Sequence, residues 1–219
     1  MTAPLSRIAL ALAAPLLLMG CLLSPGTFTA RLTINADRSF AFAYQGEVYA
    51  SDGPDTGKLG KEAKPDPAAK AETEAKRRAM AAALAKEAGY RSVSYAGDGK
   101  FLIDYAISGT LNHAFVYPFN SDAEVVFPFL VVELRGKDMV RVKAPGFAAD
   151  GDKAGGMPGM DKAASKLNGS FTLDTDAQIV SQNNEDGASE AGGRRTIRWQ
   201  ATPLVKDAPA ATLRVAPLP

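Results

Sequence analysis

The chain contains very little of the chemistry on which most catalytic and metal sites depend. Its 219 residues include one cysteine, one histidine and one tryptophan. No Ser-His-Asp triad can be composed without His113, because the histidine carries the proton. One histidine and one cysteine cannot supply the ligands of a usual zinc site, and no Gly-rich phosphate loop joins a strand to a helix. We therefore expect no catalytic residue, no metal and no cofactor.

The chain also lacks an excess of charge and a long apolar run. It has 25 Lys and Arg residues against 24 Asp and Glu residues, and removing Arg7 makes the two counts equal. A neutral chain offers no overall attraction for nucleic acid or for anionic lipid. The apolar run Ile8–Met19 has twelve residues, whereas a helix needs about 20 to span a bilayer. Nucleic-acid binding is therefore not expected, and this run is too short for a comfortable transmembrane anchor.

The N-terminus has the layout of a bacterial lipoprotein signal. The basic residue Arg7 precedes the apolar run, which ends in Leu18-Met19-Gly20-Cys21. This pattern predicts cleavage after Gly20 and transfer of a diacylglycerol to the Cys21 thiol, with palmitate among the acyl chains. Two or more chains would hold the protein stably on a membrane. The alternatives are an ordinary secretory signal with a chance cysteine, and an uncleaved anchor.

Beyond Cys21 the sequence predicts an α+β fold with a mainly antiparallel sheet and one main helix. Apolar residues alternate from Phe28 to Ile34 and from Phe40 to Tyr44 around a turn, which predicts a hairpin. Further strands are predicted as far as Thr212–Val215. We expect one periplasmic domain over residues 21–219.

The predicted helix lies near 67–88. Pro67 suits the first helical position and Gly89 can end the helix in a left-handed conformation. Its spacing predicts a thin, Ala-rich buried face made of Ala75, Ala79, Met80, Ala83 and Leu84. By contrast, residues 146–166 are rich in Gly and Met and predict a flexible loop, and residues 189–193 predict a loose connection.

The segment from Phe115 to Leu134 is unusually aromatic and contains two prolines. Proline within such runs indicates edge strands or bulges. The segment is either part of a closed core or one wall of a cleft for an apolar ligand beneath the thin helix. The second hypothesis assigns the wall to seven residues: Phe115, Tyr117, Phe119, Phe127, Phe129, Met80 and Leu84.

Two stretches resemble known envelope lipoproteins. The run from Cys21 to Thr29, CLLSPGTFT, is similar to uncharacterised lipoproteins of sphingomonad-type alphaproteobacteria. Ile179–Asn184, followed after a gap by Arg195–Trp199, resembles the end of the LppM-type lipoprotein domain, where a strand ending in Asn precedes a strand ending in Trp. The chain departs from that pattern at Asp176–Gln178, where Gly-Glu would be expected. The resemblance covers about 30 residues and implies lipid binding.

These observations favour a non-enzymatic lipoprotein of a Gram-negative cell. Leu22 follows the modified cysteine where inner-membrane lipoproteins carry Asp, so we expect anchoring in the outer membrane with the domain in the periplasm. The domain would act as a binding or scaffold module for a lipid or another envelope protein. Two alternatives remain: a hydrolase that uses a buried, unpaired Asp104, and a purely structural partner with an exposed apolar patch.

Overall fold

The computed structural model describes residues 22–51, 67–118, 128–149 and 165–218. Strands dominate these ranges, together with one α-helix, α1 (Pro67–Leu84), and a 3-10 helix (Pro145–Phe147). The strands of the first half are β1 (Leu22–Ile34), β2 (Ser39–Ser51), β3 (Tyr90–Gly97), β4 (Lys100–Thr110), β5 (Phe115–Tyr117) and β6 (Leu130–Arg135). Those of the second half are β7 (Met139–Lys143), β8 (Asn168–Thr175), β9 (Gln178–Gln182), β10 (Ser189–Ala191), β11 (Arg194–Ala201) and β12 (Ala210–Arg214).

The strands form two sheets. The seven-stranded sheet has the order β10-β11-β8-β1-β2-β4-β3, and the five-stranded sheet has the order β5-β6-β7-β12-β9. All neighbours are antiparallel except β1 and β8, which run parallel. The prediction of mainly antiparallel strands with one helix is confirmed for the described residues. The sequence predicted one sheet, whereas the described strands form two. Alternation along a strand shows which face is buried and does not show which strands are neighbours.

The predicted first hairpin is present and supplies the centre of the seven-stranded sheet. In β1 the side chains of Phe28, Ala30, Leu32 and Ile34 are buried, and Arg31 between them is exposed. The pleat of the strand sends alternate residues to opposite faces, so one face of β1 enters the core and the other meets solvent.

The core lies between the two sheets and is rich in aromatic rings. Tyr44 of β2 lies 5.3 Å from Tyr117 of β5 and 6.1 Å from Phe129, measured between ring centroids. Phe171 of β8 stacks on Trp199 of β11 at 5.5 Å. Rings at these separations add attraction beyond the apolar area that they remove from water. The two sheets are therefore held face to face by a continuous aromatic layer.

Phe147 closes this layer from the 3-10 helix. Its side chain is fully buried, and its ring stacks on Phe28 at 4.5 Å. A methyl group on Gly146 would lie 2.7 Å from the Cα of Phe129, so glycine allows the turn to approach that closely. The prediction of a loop from residue 146 is therefore wrong for its first residues, because the composition of the segment concealed one core ring. Residues 150–164 of that segment lie outside the described ranges.

Helix α1 begins at Pro67 as predicted but ends at Leu84, four residues before the expected Ala88. The amide groups of Lys86 and Glu87 bond to the carbonyl groups three residues earlier, at 3.0 Å each. These tighter turns replace the last helical turn. Gly89 adopts the expected left-handed conformation beyond them, with φ of +91°.

The buried face of α1 also differs from the prediction. Ala75, Ala79 and Ala83 are exposed, whereas Ala81 is buried. The helix packs on β3, where Glu74 accepts a hydrogen bond from the Tyr95 hydroxyl at 2.8 Å, and its Arg77 donates to the carbonyl of Ala50 in β2 at 3.4 Å. Polar contacts with the sheet edge thus set the rotation of the helix, which apolar spacing alone could not reveal.

Residues 189–193, predicted as a loose connection, include β10. Ser189 to Ala191 pair with Thr196 to Arg194 of β11 in a short hairpin. All three residues of β10 are exposed. The strand therefore buries no apolar side chain, and hydrophobic alternation gives no sign of it.

Arg38 fastens one end of the sandwich. It is 3% exposed, and its guanidinium group donates to three carbonyl groups: Ala216 at 2.5 Å, Leu111 at 2.9 Å and Lys137 at 2.6 Å. Arg38 therefore ties the C-terminal segment, the residue after β4 and the β6–β7 turn to the β1–β2 turn.

The two stretches that resemble the LppM-type pattern meet in space. The Trp199 indole donates to Asn183 Oδ1 at 3.1 Å, and the amide of Ala210 donates to the same oxygen at 2.9 Å. The Asn183 amide donates in turn to the carbonyl of Ala208 at 2.8 Å. One asparagine therefore connects strands of both sheets.

We expect Asn183→Ala to lower the free energy of unfolding by about 0.5–1.5 kcal/mol, because it removes the acceptor shared by the Trp199 indole and the Ala210 amide, at a position that water can partly reach. Asn183→Asp keeps the acceptor oxygen and should cost less. Urea unfolding followed by Trp199 fluorescence measures both. Equal losses in the two variants would contradict the assigned role of the oxygen.

Candidate functional site

The five described residues of the predicted apolar wall lie in two settings, the core between the sheets and the helix α1. Tyr117 and Phe129 are each 1% exposed and lie in the core between the sheets. Phe115 is half-buried, with its ring 5.2 Å from that of Phe40. Met80 and Leu84 are half-buried on α1. Phe119 and Phe127 lie outside the described ranges.

Tyr117 is surrounded by other rings. Tyr117 lies 5.0 Å from Phe42 and 4.7 Å from Tyr105, between centroids. Burial raises the pKa of Tyr117 well above its ordinary value, with nearby tyrosines adding to the effect. The hydroxyl is neutral at any ordinary pH, and its surroundings are those of a core residue.

A different arrangement of side chains lies on the outer face of the seven-stranded sheet. Arg198 of β11 pairs with Thr172 of β8, Thr172 with Arg31 of β1, Arg31 with Ala43 of β2, and Ala43 with Ala106 of β4. Residues paired in this way share one face. Two arginines therefore stand in one row across the strands.

A third arginine extends this row. Arg91 is the extra residue of a bulge in β3, between Tyr90 opposite Tyr105 and Ser92 opposite Asp104. The bulge leaves both Arg91 and Ser92 exposed. Arg91 and Arg31 border a groove of about 330 Å³, whose floor includes Ala43 and Ala106. We call Arg31, Arg91 and Arg198 the arginine row.

The arginine row carries uncompensated positive charge. Within residues 22–51, 67–118, 128–149 and 165–218, these three side chains form no hydrogen bond or ion pair. Asp174 on the same face is already engaged, because Arg194 Nε donates to it at 2.6 Å and the Thr196 hydroxyl at 3.0 Å.

Glu47 lies on the same face, and its negative charge is balanced by its own hydrogen-bond and ion-pair partners. Burial acts to raise its pKa, but the amide of Thr27, the ammonium group of Lys100 and the hydroxyl of Tyr49 together hold the pKa below its usual value. Lys100 Nζ lies 3.3 Å from Glu47 Oε1. Glu47 therefore remains ionised and paired, and it does not offset the charge of the arginine row.

The end of the sandwich next to Cys21 has its own features. β1 begins at Leu22, the residue that follows Cys21. In the β11–β12 loop at the same end, Leu204 is 89% exposed, more than any other large apolar residue among those described. The loop is ordered by hydrogen bonds: the amide of Val205 donates to the carbonyl of Thr202 at 3.1 Å, and the amide of Ala149 to the carbonyl of Val205 at 2.8 Å.

The two side chains that the sequence analysis considered for catalysis, His113 and Asp104, lie on the surface of the domain. His113 is exposed, with Nδ1 2.5 Å from Oδ1 of Asn112. Asp104 is half-buried on the outer face, whereas the hydrolase hypothesis required a buried carboxylate. The described residues contain no group of three or more His, Cys, Asp or Glu side chains placed to hold a metal ion. In the same ranges, no helix is both long and apolar enough to cross a bilayer.

Sequence reasoning missed the arginine row. Arg31 and Arg198 each alternate with buried neighbours, which is enough to place them on a solvent face. Their shared row depends on the pairing of β1, β8 and β11, which are distant in sequence. Net charge gave no signal, because it sums over all faces of the molecule.

Comparison with known proteins gives a structural similarity but no family match. No protein-family model matches the chain, and no curated protein matches it. Among solved structures, the folded domain of the LppM protein of Mycobacterium tuberculosis is similar with 18% sequence identity and a TM-score of 0.35. The match covers 90% of this chain and 92% of that one. A TM-score at this level does not establish a shared fold.

Proposed function

We propose that this protein is a lipoprotein of the bacterial envelope, anchored by acyl chains on Cys21, whose domain is a non-catalytic binding module. The signal-like run Leu18–Cys21 supports the anchor, and Leu22 after the cysteine favours the outer membrane with the domain in the periplasm. The observation that carries the proposal is the run Leu18-Met19-Gly20-Cys21 after the apolar segment, and β1 already includes the next residue, Leu22. The lipid would be attached directly to a central strand of the larger sheet.

Direct attachment has a consequence for orientation. A long flexible linker would let the domain move freely above the bilayer, whereas here the first strand would hold its end of the sandwich beside the head groups. Leu204 lies at that end and exposes almost its whole side chain. An apolar side chain at the membrane interface leaves water and adds to the hold of the acyl chains.

We assign the binding surface of the module to the outer face of the larger sheet, and two observations support this assignment. Interior rings lie in mutual contact, as shown by Phe147 and Phe28 at 4.5 Å. On the outer face, exposed arginines border a groove with a floor of small side chains. A concave surface with a few unpaired polar groups is the usual form of a ligand site.

We expect Cys21→Ser to abolish anchoring. The hydroxyl of serine does not replace the thiol that receives the diacylglycerol, so the protein should take up no labelled palmitate and should retain residues 1–20. Palmitate labelling, mobility on a gel and membrane fractionation measure this. A processed Cys21→Ser protein with unchanged palmitate content would refute the anchor.

A second variant separates anchoring from sorting. Leu22→Asp keeps the cysteine and should still be acylated and processed. If the residue after the cysteine directs the protein to the outer membrane, this variant should move to the inner membrane, as density-gradient separation of the two membranes would show. Wild-type protein found in the inner membrane would refute the outer-membrane assignment alone.

A further inference from the structure

We propose that the arginine row binds an elongated anionic ligand with several phosphate or carboxylate groups, lying across the strands. The inference goes beyond the anchored module itself, because it assigns a place and a chemical class to what the module binds. It rests on three exposed arginines that share one row and on the alanines that lie in the same row. It also rests on the finding that, among the described residues, no acidic side chain is paired with any of the three arginines.

The spacing of the row requires a long ligand. Six strands, from β11 to β3, carry it, and neighbouring strands are about 4.8 Å apart, so the row spans roughly 24 Å. Arg198 and Arg31 are two strand spacings apart, and Arg31 and Arg91 three. A single phosphate group can meet only one end of such a row, whereas a chain with repeated anionic groups can meet all three guanidinium groups.

The floor of the row suits close approach of that chain. Ala43 and Ala106 lie between Arg31 and Arg91 and bring no bulk or charge. Arginine is matched to phosphate and carboxylate oxygens by its planar, two-pronged donor geometry. Asp104, one step along β4 from Ala106 on the same face, carries an opposing charge that should weaken the binding of an anion.

If the protein is anchored through Cys21 as proposed, the lipid head groups of the anchoring bilayer are not the ligand of the arginine row. This step alone rests on the proposed function. Arg31 lies nine residues beyond Leu22 along β1, which places it about 30 Å from the first residue of the strand. With that end of the sandwich against the membrane, the row would face the periplasm. Its ligand is therefore a soluble or polymeric anion and not a head group of the anchoring leaflet.

Long-chain linear polyphosphate is a suitable probe for the mature protein purified from membranes in a non-ionic detergent. Calorimetric titration at low salt should show binding of this chain and much weaker binding of inorganic phosphate. Arg31→Gln and Arg91→Gln should each lower the affinity roughly two- to fivefold. Each should also reduce the slope of log K against log salt by about one. Asp104→Asn should raise the affinity.

Arg135→Gln is the control, since it removes one positive charge from the five-stranded sheet, where Arg135 is already paired with Glu133. An equal loss of affinity in this variant, or no binding of polyphosphate by the wild type, would overturn the proposal. In a second arm, the protein is placed on vesicles of neutral or anionic lipid. An effect of Arg31→Gln on attachment to anionic vesicles, without an effect on polyphosphate, would assign the row to lipid head groups instead. If Cys21 is not acylated, the same two arms can be run on the protein purified from whichever fraction contains it, so failure of the anchor and failure of the arginine row are distinguishable.

Discussion

Arg38→Ala should lower the free energy of unfolding by about 3–5 kcal/mol, because the substitution leaves three carbonyl groups without their shared donor. These groups belong to Leu111, Lys137 and Ala216, on three separate segments. Hydrogen bonds from a charged donor are stronger than neutral ones, and the 3% exposed side chain leaves water little access to replace them. Chemical unfolding monitored by Trp199 fluorescence measures the loss.

Two further variants isolate the cause. The backbone of Arg38 is left-handed, with φ of +72°, a conformation that glycine adopts without strain. Arg38→Gly removes the same side chain as Arg38→Ala, and it should lower the free energy of unfolding by about 1 kcal/mol less. Arg31→Ala removes an exposed arginine from β1 and should change stability by less than about 0.5 kcal/mol. Similar losses for Arg31→Ala and Arg38→Ala would contradict the role of Arg38 as a buried donor.

Phe147→Ala should cost about 3–5 kcal/mol, because it empties a space among packed rings. The lost ring stacks on Phe28 and lies 5.5 Å from Phe171. The 3-10 helix that carries Phe147 is short, so its position depends on this anchor. Thermal and chemical unfolding of the full domain measure the effect.

Volume is the variable to control in that experiment. Phe147→Leu fills most of the space and should cost less than about 1.5 kcal/mol. Phe115→Ala removes a half-buried ring at the edge of the core and should cost less than Phe147→Ala. A loss below about 1 kcal/mol for Phe147→Ala would mean that the segment after β7 is not part of the core.

Local features of the fold could be predicted from the sequence where one strand or turn decides them. The alternation in β1 and β2, the turn at Asn35–Arg38 and the start of α1 at Pro67 all depend on nearby residues. The fully buried Tyr117 and Phe129 also follow from their aromatic segment, for which a core position was one of two hypotheses.

The remaining features depend on which distant segments meet. The parallel pairing of β1 with β8 joins residues about 140 positions apart and leaves no local pattern. The rotation of α1 follows from the contact of Glu74 with Tyr95, and the site of Phe147 from a ring layer assembled from both sheets. The arginine row requires the order of six strands. In each case the local pattern gives the type of residue, and tertiary pairing gives its place.

The intact mass of the mature protein isolated from membranes tests the proposed anchor most directly. Anchoring through Cys21 predicts a chain that begins at Cys21. Its mass should exceed that of the polypeptide by a diacylglycerol on the thiol and one acyl chain on the new N-terminal amino group. Alkaline hydrolysis should remove the ester-linked acyl chains. A mature chain that starts elsewhere, or that starts at Cys21 with no added lipid, would contradict the account.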